Sequence, residues 1–311
     1  MGSITDIVQF EEVKNKKDET ILIIDGHNIA YITVFSTISS DYSDNGPFKL
    51  WRHTFMNKLF YIIRDLKPTK VVLAFDTKGS WRYDIYDEYK ANRRKQYGKY
   101  PLDKEAFMIA LNDMIETIRT LFTNIYVINE AECEGDDIIA VLAKDVFTHE
   151  NESVIIVSGD TDMNQLLSIP NVRQYNPMKN EFFNVINPEK ELQIKILSGD
   201  KSDNISPIRR GVGVKTAEKI INSDDGVDGF IESHETDLEK KTIQENYERN
   251  IQLINLDFIP KRIHNRVVEA YKGYETTPLN GKSVVRYFMK HKLHDLRTKW
   301  GRFGEYIKPL E

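Results

Sequence analysis

Nine carboxylates mark places where this sequence changes pattern: Asp25, Asp76, Glu134, Asp136, Asp137, Asp160, Asp162, Asp200 and Asp203. Asp25 follows Ile21-Leu22-Ile23-Ile24, Asp76 follows Val71-Val72-Leu73-Ala74-Phe75, and Asp160 follows Val154-Ile155-Ile156-Val157 after a Ser158-Gly159 step. The remainder come in close sets. Glu134 and Asp137 are three apart at the start of a helical pattern, Asp160 and Asp162 straddle one residue, and Asp200 and Asp203 are three apart beside Gly199, so each pair can face one point. Gathered carboxylates raise one another's pKa and resist ionisation, a conflict that divalent cations remove. A donor set of oxygens without His or Cys favours magnesium, with manganese as a substitute, over zinc, and the surplus of acids suggests more than one ion. Any one of these residues alone reads as readily as a helix cap or turn. The set reads as a magnesium site.

For the acids to meet, the apolar runs must be neighbours. Runs of this kind are buried parallel strands, and in open α/β sheets ligands sit beyond the carboxyl ends of the strands. Helical patterns fall between them, at about 28–38, 48–66, 101–122 and 136–147, with a further short strand at 125–128. The sequence therefore predicts an α/β fold: a parallel-type central sheet flanked by helices. After Pro188 helical patterns dominate as far as Lys292, broken near Gly211, Gly226 and Pro260. The expected division is a flexible segment at 1–19, an α/β domain at 20–188 and a helical domain at 189–311. No apolar run approaches the roughly 20 residues needed to cross a bilayer, and the N-terminal segment has no signal-peptide core, so a cytoplasmic location is expected. Cys133 is the only cysteine and has no partner for an internal disulfide.

Two further motifs point to a polyanion. The segment from Trp81 to Tyr97 is basic and aromatic without an apolar face. Within it Lys90, Arg93 and Arg94 fall at helical spacings that would gather three cations for a phosphate backbone. Tyr83, Tyr86 and Tyr89 recur every three residues and could stack on bases. The second motif, Gly211-Val212-Gly213 followed by Lys215, suits the turn of a helix-hairpin-helix whose next helix holds a phosphate. Tyr31, six residues past Asp25, could stack on a terminal base, while His27 reads as a structural histidine. The net charge of −5 does not oppose a nucleic-acid partner, because once the nine proposed ligands are set aside the 43 Lys and Arg outnumber the other acids among 48.

In their order, Asp25-Gly26, Phe75-Asp76, Glu134-Gly135-Asp136-Asp137, Ser158-Gly159-Asp160-Thr161-Asp162, Gly199-Asp200-Lys201-Ser202-Asp203-Asn204 and Gly211-Val212-Gly213 resemble the 5′ nuclease or flap endonuclease superfamily, and within it the branch carried by T-even bacteriophages. The resemblance runs from about Ile21 to Lys292. It implies a two-magnesium phosphodiester hydrolase with ribonuclease H and flap endonuclease type activity, removing RNA primers and short 5′ flaps in lagging-strand DNA replication. By motif, Asp25, Asp76, Glu134 and Asp136 or Asp137 resemble a first metal environment, and Asp160, Asp162, Asp200 and Asp203 a second. Lys90 and Arg93 match catalytic residues of a helical arch around 80–104. Arg82, Tyr86, Arg94 and Tyr31 match nucleic-acid contacts, as do Gly211, Gly213 and Lys215 of the hairpin. The implied partners are DNA and RNA-DNA duplexes with 5′ ends or flaps, with a sliding clamp or single-stranded DNA-binding protein by analogy. The implied setting is a monomer in the cytoplasm of a phage-infected bacterial host, with no membrane role.

Overall fold

The structure is a computed structural model that describes residues 19–37, 48–93 and 102–307. Arg94 and the rest of the expected arch as far as 101, like residues 1–18, lie outside the described residues.

Among the described residues, a six-stranded sheet carries the fold. Its strands are β1 (Glu19–Asp25), β2 (Lys70–Ala74), β3 (Tyr126–Ile128), β4 (Glu152–Val157), β5 (Val172–Asn176) and β6 (Glu181–Phe182), in the spatial order β3-β2-β1-β4-β5-β6. The first five are parallel, and β6 returns antiparallel. The chain lays strands outward from β1 on one side, then crosses back to begin again with β4 on the other. That reversal opens a crevice beyond the ends of β1 and β4. Asp25 and the Ser158–Asp160 step sit at that place.

Ile21 to Ile24 of β1 are fully buried because both sheet faces are covered. Side chains alternate along the strand, so Leu22 and Ile24 face one core and Ile21 and Ile23 the other. The first core is covered by α1 (Gly26–Thr37), α2 (Lys49–Leu66) and α3 (Lys104–Leu121). The second is covered by α4 (Gly135–Val141), which runs on into a π-helical turn at Leu142–Val146.

Beyond Asn187, which caps α5 (Pro188–Ser198), come α6 (Val214–Ile221), α7 (Gly226–Glu232) and α8 (Asp237–Ile254). These helices enclose small cores of their own around Leu197, Ile208, Val212, Ile220 and Ile243, and around Ile196, Ile205 and Leu253. The helices that follow also reach the sheet. Ile263 and Val267 of α9 (Lys261–Lys272) pack into the second sheet core. Val284 and Phe288 of α10 (Gly281–Lys290), with Leu296 and Trp300 of α11 (His294–Ile307), pack into the first. A four-residue spacing of apolar side chains announces a buried helical face but does not name the surface that buries it.

Candidate metal centre and nucleic-acid interface

Backbone geometry at the strand ends sets the acids. Asp25 closes β1, and its Oδ1 accepts from the Asn28 N–H at 2.9 Å, while its Oδ2 accepts from the Ser158 hydroxyl at 2.9 Å. The same hydroxyl oxygen accepts from the Asp160 N–H at 3.1 Å, so one fully buried serine joins the acids of two adjacent strands. From β5, the Gln174 amide donates to the Ser158 carbonyl at 3.1 Å and the Asp160 carbonyl at 2.7 Å, bracing the turn from behind. Asn28 Oδ1 accepts from the Gly159 N–H at 3.1 Å. Asp160 then caps the 3-10 helix Thr161–Ser168 by accepting from the Asp162 N–H.

Across β2, Asp76 Oδ1 accepts from the Gly135 N–H at 2.7 Å, at the positive end of α4. His27 Nδ1 accepts from the Asp76 N–H at 3.0 Å. That nitrogen therefore carries no proton, and its 3.9 Å approach to Asp76 Oδ2 is not an ion pair. This is the structural role expected of His27.

The acids from the helical side arrive on a loop that is tied shut. Asp200 and Ile205 exchange backbone hydrogen bonds at 2.9 and 2.7 Å, and Gly199 enters the loop at φ 72°, where an added Cβ would meet the Ile205 carbonyl at 2.4 Å. The loop is also docked on residues 88–92, through Lys90 N–H to the Asp203 carbonyl at 2.8 Å and the Asn204 amide to the Glu88 carbonyl at 2.9 Å.

Among the described residues, two carboxylate triplets could each hold a cation: Asp136, Asp160 and Asp162, and Asp162, Asp200 and Asp203, with ligand atoms within 4.8 Å of one another in each. Asp162 is common to both. This grouping differs from the division suggested by motif, since it puts Asp136 with Asp160 and Asp162, while Asp25 and Asp76 stand outside both triplets. Burial pushes the Asp25 carboxyl up to about 7, with the charges of Asp76 and Asp160 adding to the rise against the hydrogen bonds from Asn28 and Ser158. Burial, then Asp160, Asp25 and Asp162, hold Asp136 well above the usual carboxylate range. Asp162 is pushed up to about 6, burial outweighing the nearby Lys195. An all-oxygen set that resists full ionisation by itself fits hard divalent cations.

Other predicted residues are held differently. Asp137 is wholly buried, and its oxygens accept from Arg82 at 2.9 and 3.1 Å, from Trp81 Nε1 at 3.1 Å and from the Glu134 N–H at 2.9 Å. With those bonds it is a structural acid and not an open ligand. Arg82, expected at the nucleic acid, is its buried partner, and also donates to Glu134 at 3.0 Å and the Leu253 carbonyl at 3.0 Å. Glu134 takes Lys90 Nζ at 2.5 Å and the Tyr89 hydroxyl at 2.8 Å. Burial would raise its pKa, but Lys90 and Arg82 outweigh burial and hold it low.

The segment that carries these cations is not one helix. A 3-10 helix covers Trp81–Asp84, turns follow, and Lys90 has φ 56°, a left-handed conformation that interrupts a helical face. Lys90 and Arg93 nonetheless converge, at 3.7 and 2.6 Å from Asp203. Tyr89 is buried with its hydroxyl on Glu134 and Asp203, so it cannot stack on bases, and half-buried Tyr86 lies under the Arg249 guanidinium. Tyr83 stays exposed. Tyr31 is half-buried against Phe35 and Phe107. Gly211 has φ 93°, Val212 is buried beneath it, and Gly213 is the N-cap of α6, with Lys215 exposed in its first turn.

Sequence reasoning missed Lys195, on α5, which pairs with Asp162 and lies 2.8 Å from Asp200 Oδ2. Its neighbours in the sequence are apolar or ordinary helix formers. The only available signal was its place five residues before Asp200.

Two family models match successive parts of the chain. Residues 20–196 match the family model of the 5′-3′ exonuclease N-terminal resolvase-like domain, and residues 187–303 match that of the C-terminal part of T4 RNase H. Ribonuclease H of Enterobacteria phage T4 is 29% identical over 300 residues, which is 92% of this chain and 96% of that protein. DNA polymerase I of Bacillus subtilis (strain 168) is 30% identical over 298 residues, 90% of this chain but 32% of the polymerase. Among solved structures, the T5 D15 protein co-crystallized with metal ions has a TM-score of 0.62 at 20% identity, covering 82% of this chain and 100% of that one, a likeness of fold.

Proposed function

The chain belongs to the 5′-3′ exonuclease family, and on that premise we propose that it is a magnesium-dependent enzyme that hydrolyses phosphodiester bonds near the 5′ ends and flaps of DNA and RNA-DNA duplexes, removing RNA primers in lagging-strand replication. The observation that carries this reading is the pair of carboxylate triplets sharing Asp162, in the crevice beyond the parallel strands. Asp136, Asp160, Asp162, Asp200 and Asp203 are the residues that would hold the ions. Bound there, magnesium supplies an activated water and a counter-charge for the leaving 3′ oxygen. Asp25 and Asp76 orient this set from β1 and β2.

The chain's own cations do the rest. Lys90 and Arg93, grouped over Glu134 and Asp203, bring positive charge to the scissile phosphate as charge develops on it. Tyr31 stacks on the terminal base. The Gly211–Gly213 turn and Lys215 hold a duplex phosphate farther along, a contact that does not depend on sequence. The name of the T4 relative, ribonuclease H, supports an RNA-DNA substrate, and the T5 D15 flap endonuclease solved with DNA and metal ions supports a flap.

A 5′-labelled flap substrate tests the reading. With magnesium, wild-type protein should release short 5′ products ending at the junction, and the double variant Asp160→Asn, Asp162→Asn should lose at least about a hundredfold in rate while retaining DNA affinity. Turnover by that variant at the wild-type rate would refute the ligand assignment.

A further inference from the structure

Lys195 occupies the position a second cation would claim. Its ammonium lies between Asp162, the acid common to both triplets, and Asp200, whose other oxygen is engaged by the Ser202 N–H at 2.7 Å and hydroxyl at 2.6 Å. A divalent ion bound by Asp162 and Asp200 and an ammonium bridging the same carboxylates are mutually repulsive at that range. One of them must leave. Lysine is suited to leaving, being a point charge on a flexible four-carbon stem.

A second carboxylate stands on the same helix. One turn back on α5, Glu191 Oε2 accepts from the Asn164 amide at 2.9 Å, and Glu191 with Lys195 has the i,i+4 order in which an acid precedes a base favourably on a helix. Asp162, Asn164, Gln165, Glu191 and Lys195 line one cavity of about 140 Å³, space enough for the ammonium to swing. Asn164, which lines the same cavity, is buried, and its Oδ1 has no hydrogen-bond partner among the described residues.

We propose that Lys195 is a displaceable internal counter-ion: it bridges Asp162 and Asp200 in the metal-free protein and moves back one helical turn, to Glu191 and Asn164, when a divalent cation binds. The inference rests on the metal-centre reading above. It makes Lys195 a positioning residue that keeps the acids gathered before metal arrives, and that lowers metal affinity by the fraction of time it holds the site closed.

Manganese titration of the full-length protein without DNA, followed by electron paramagnetic resonance, tests this apart from catalysis. Lys195→Met removes the competitor at nearly constant length, and should tighten the weaker manganese site by about tenfold if the bridge is closed about nine-tenths of the time. Lys195→Arg keeps the charge and should show no such gain. Glu191→Gln, an exposed substitution that preserves an acceptor for Asn164 and should fold normally, removes the receiving charge and should weaken manganese binding by about two- to threefold. Unchanged or weaker binding in Lys195→Met, or unchanged binding in Glu191→Gln, would overturn the displacement. If wild-type protein binds no manganese at all, the metal-centre reading falls with it, whereas bound manganese indifferent to both variants removes this inference alone.

Discussion

Arg82 and Lys90 are eight residues apart in one basic segment, yet the first is sealed in the interior and the second reaches the acid cluster. The hydrogen bonds of the Arg82 guanidinium go to Asp137, Glu134 and the Leu253 carbonyl, its face lies over the Trp81 ring, and the side chain is 4% exposed. Arg82→Met should therefore cost about 3–5 kcal/mol in chemical denaturation, because it leaves Asp137 charged and unpaired in the interior. Loss of DNA affinity with unchanged stability would restore Arg82 to the surface role its sequence suggested. A cation in a polar stretch reads as solvated until its partner, 55 residues away, is known. The acids were legible singly, as residues closing strands, but their protonation was not. Asp25 and Asp162 titrate near 7 and 6 in the fold, against an ordinary value of 3.8, because burial disfavours the charged form. Native protein then keeps protons that the unfolded chain releases, so in EDTA stability should fall as pH rises from about 4 to about 7. Glu134 and Asp200 are held below their ordinary values and act oppositely, in the region below about pH 4. Added magnesium should flatten the decline, since it favours the ionised forms. Denaturant midpoints that rise between pH 5 and 7 in EDTA would contradict the assigned shifts.

The elements were legible in proportion to how far their signals are local. β1, β2 and β4 are unbroken apolar runs, and their strand character survives any context. β5 reads Val172-Arg173-Gln174-Tyr175-Asn176, with polar residues supplied by its place near the sheet edge and by the task of Gln174 behind the Ser158–Asp160 turn, and β6 is two residues long. Neither announces itself. The 80–104 segment is expected as a helical arch with Lys90, Arg93 and Arg94 at helical spacing, and the described part of it, residues 81–93, is not one helix. It is instead shaped by tertiary bonds, the Lys90 and Glu88 backbone meeting the 200–205 loop. The two glycines expected to form a hairpin differ in conformation: Gly211 takes a positive φ, and Gly213 precedes α6 without a side-chain cap, leaving the first-turn amides of that helix without a side-chain partner from it. If α6 meets a duplex backbone through that turn, Lys215→Ala should weaken binding similarly for unrelated sequences and reduce the slope of log affinity against log salt by about one unit. Binding isotherms across a salt series with calcium in place of magnesium measure this directly. An unaltered slope would make the turn an ordinary helix junction.

At the scale of the molecule, the helical region that carries Asp200, Asp203 and the hairpin lies in sequence between the sheet and the helices that close the sheet's own cores. It is anchored at both ends, by α5 leaving β6 and by α9 returning under α4, so the loop acids cannot drift from the strand acids without opening a sheet core. The ring centroids of Phe60 and Phe122 of the first core lie 5.9 and 6.1 Å from that of Trp300, and those of Phe288 and Phe60 lie 6.4 Å apart. Val284, Phe288, Leu293, Leu296 and Trp300 are all buried there. At about 1.5–3 kcal/mol for each large apolar side chain withdrawn from water, their loss approaches the whole stability of a typical domain, about 5–15 kcal/mol. A chain ending at Gly273 keeps every proposed metal ligand and the hairpin, but should lack a cooperative thermal transition by circular dichroism and should aggregate through the uncovered Phe60 and Phe122. A truncated chain that melts cooperatively within a few degrees of the full-length protein would make α10 and α11 an appendage. The acids would then owe their convergence to the sheet and the 187–254 region alone.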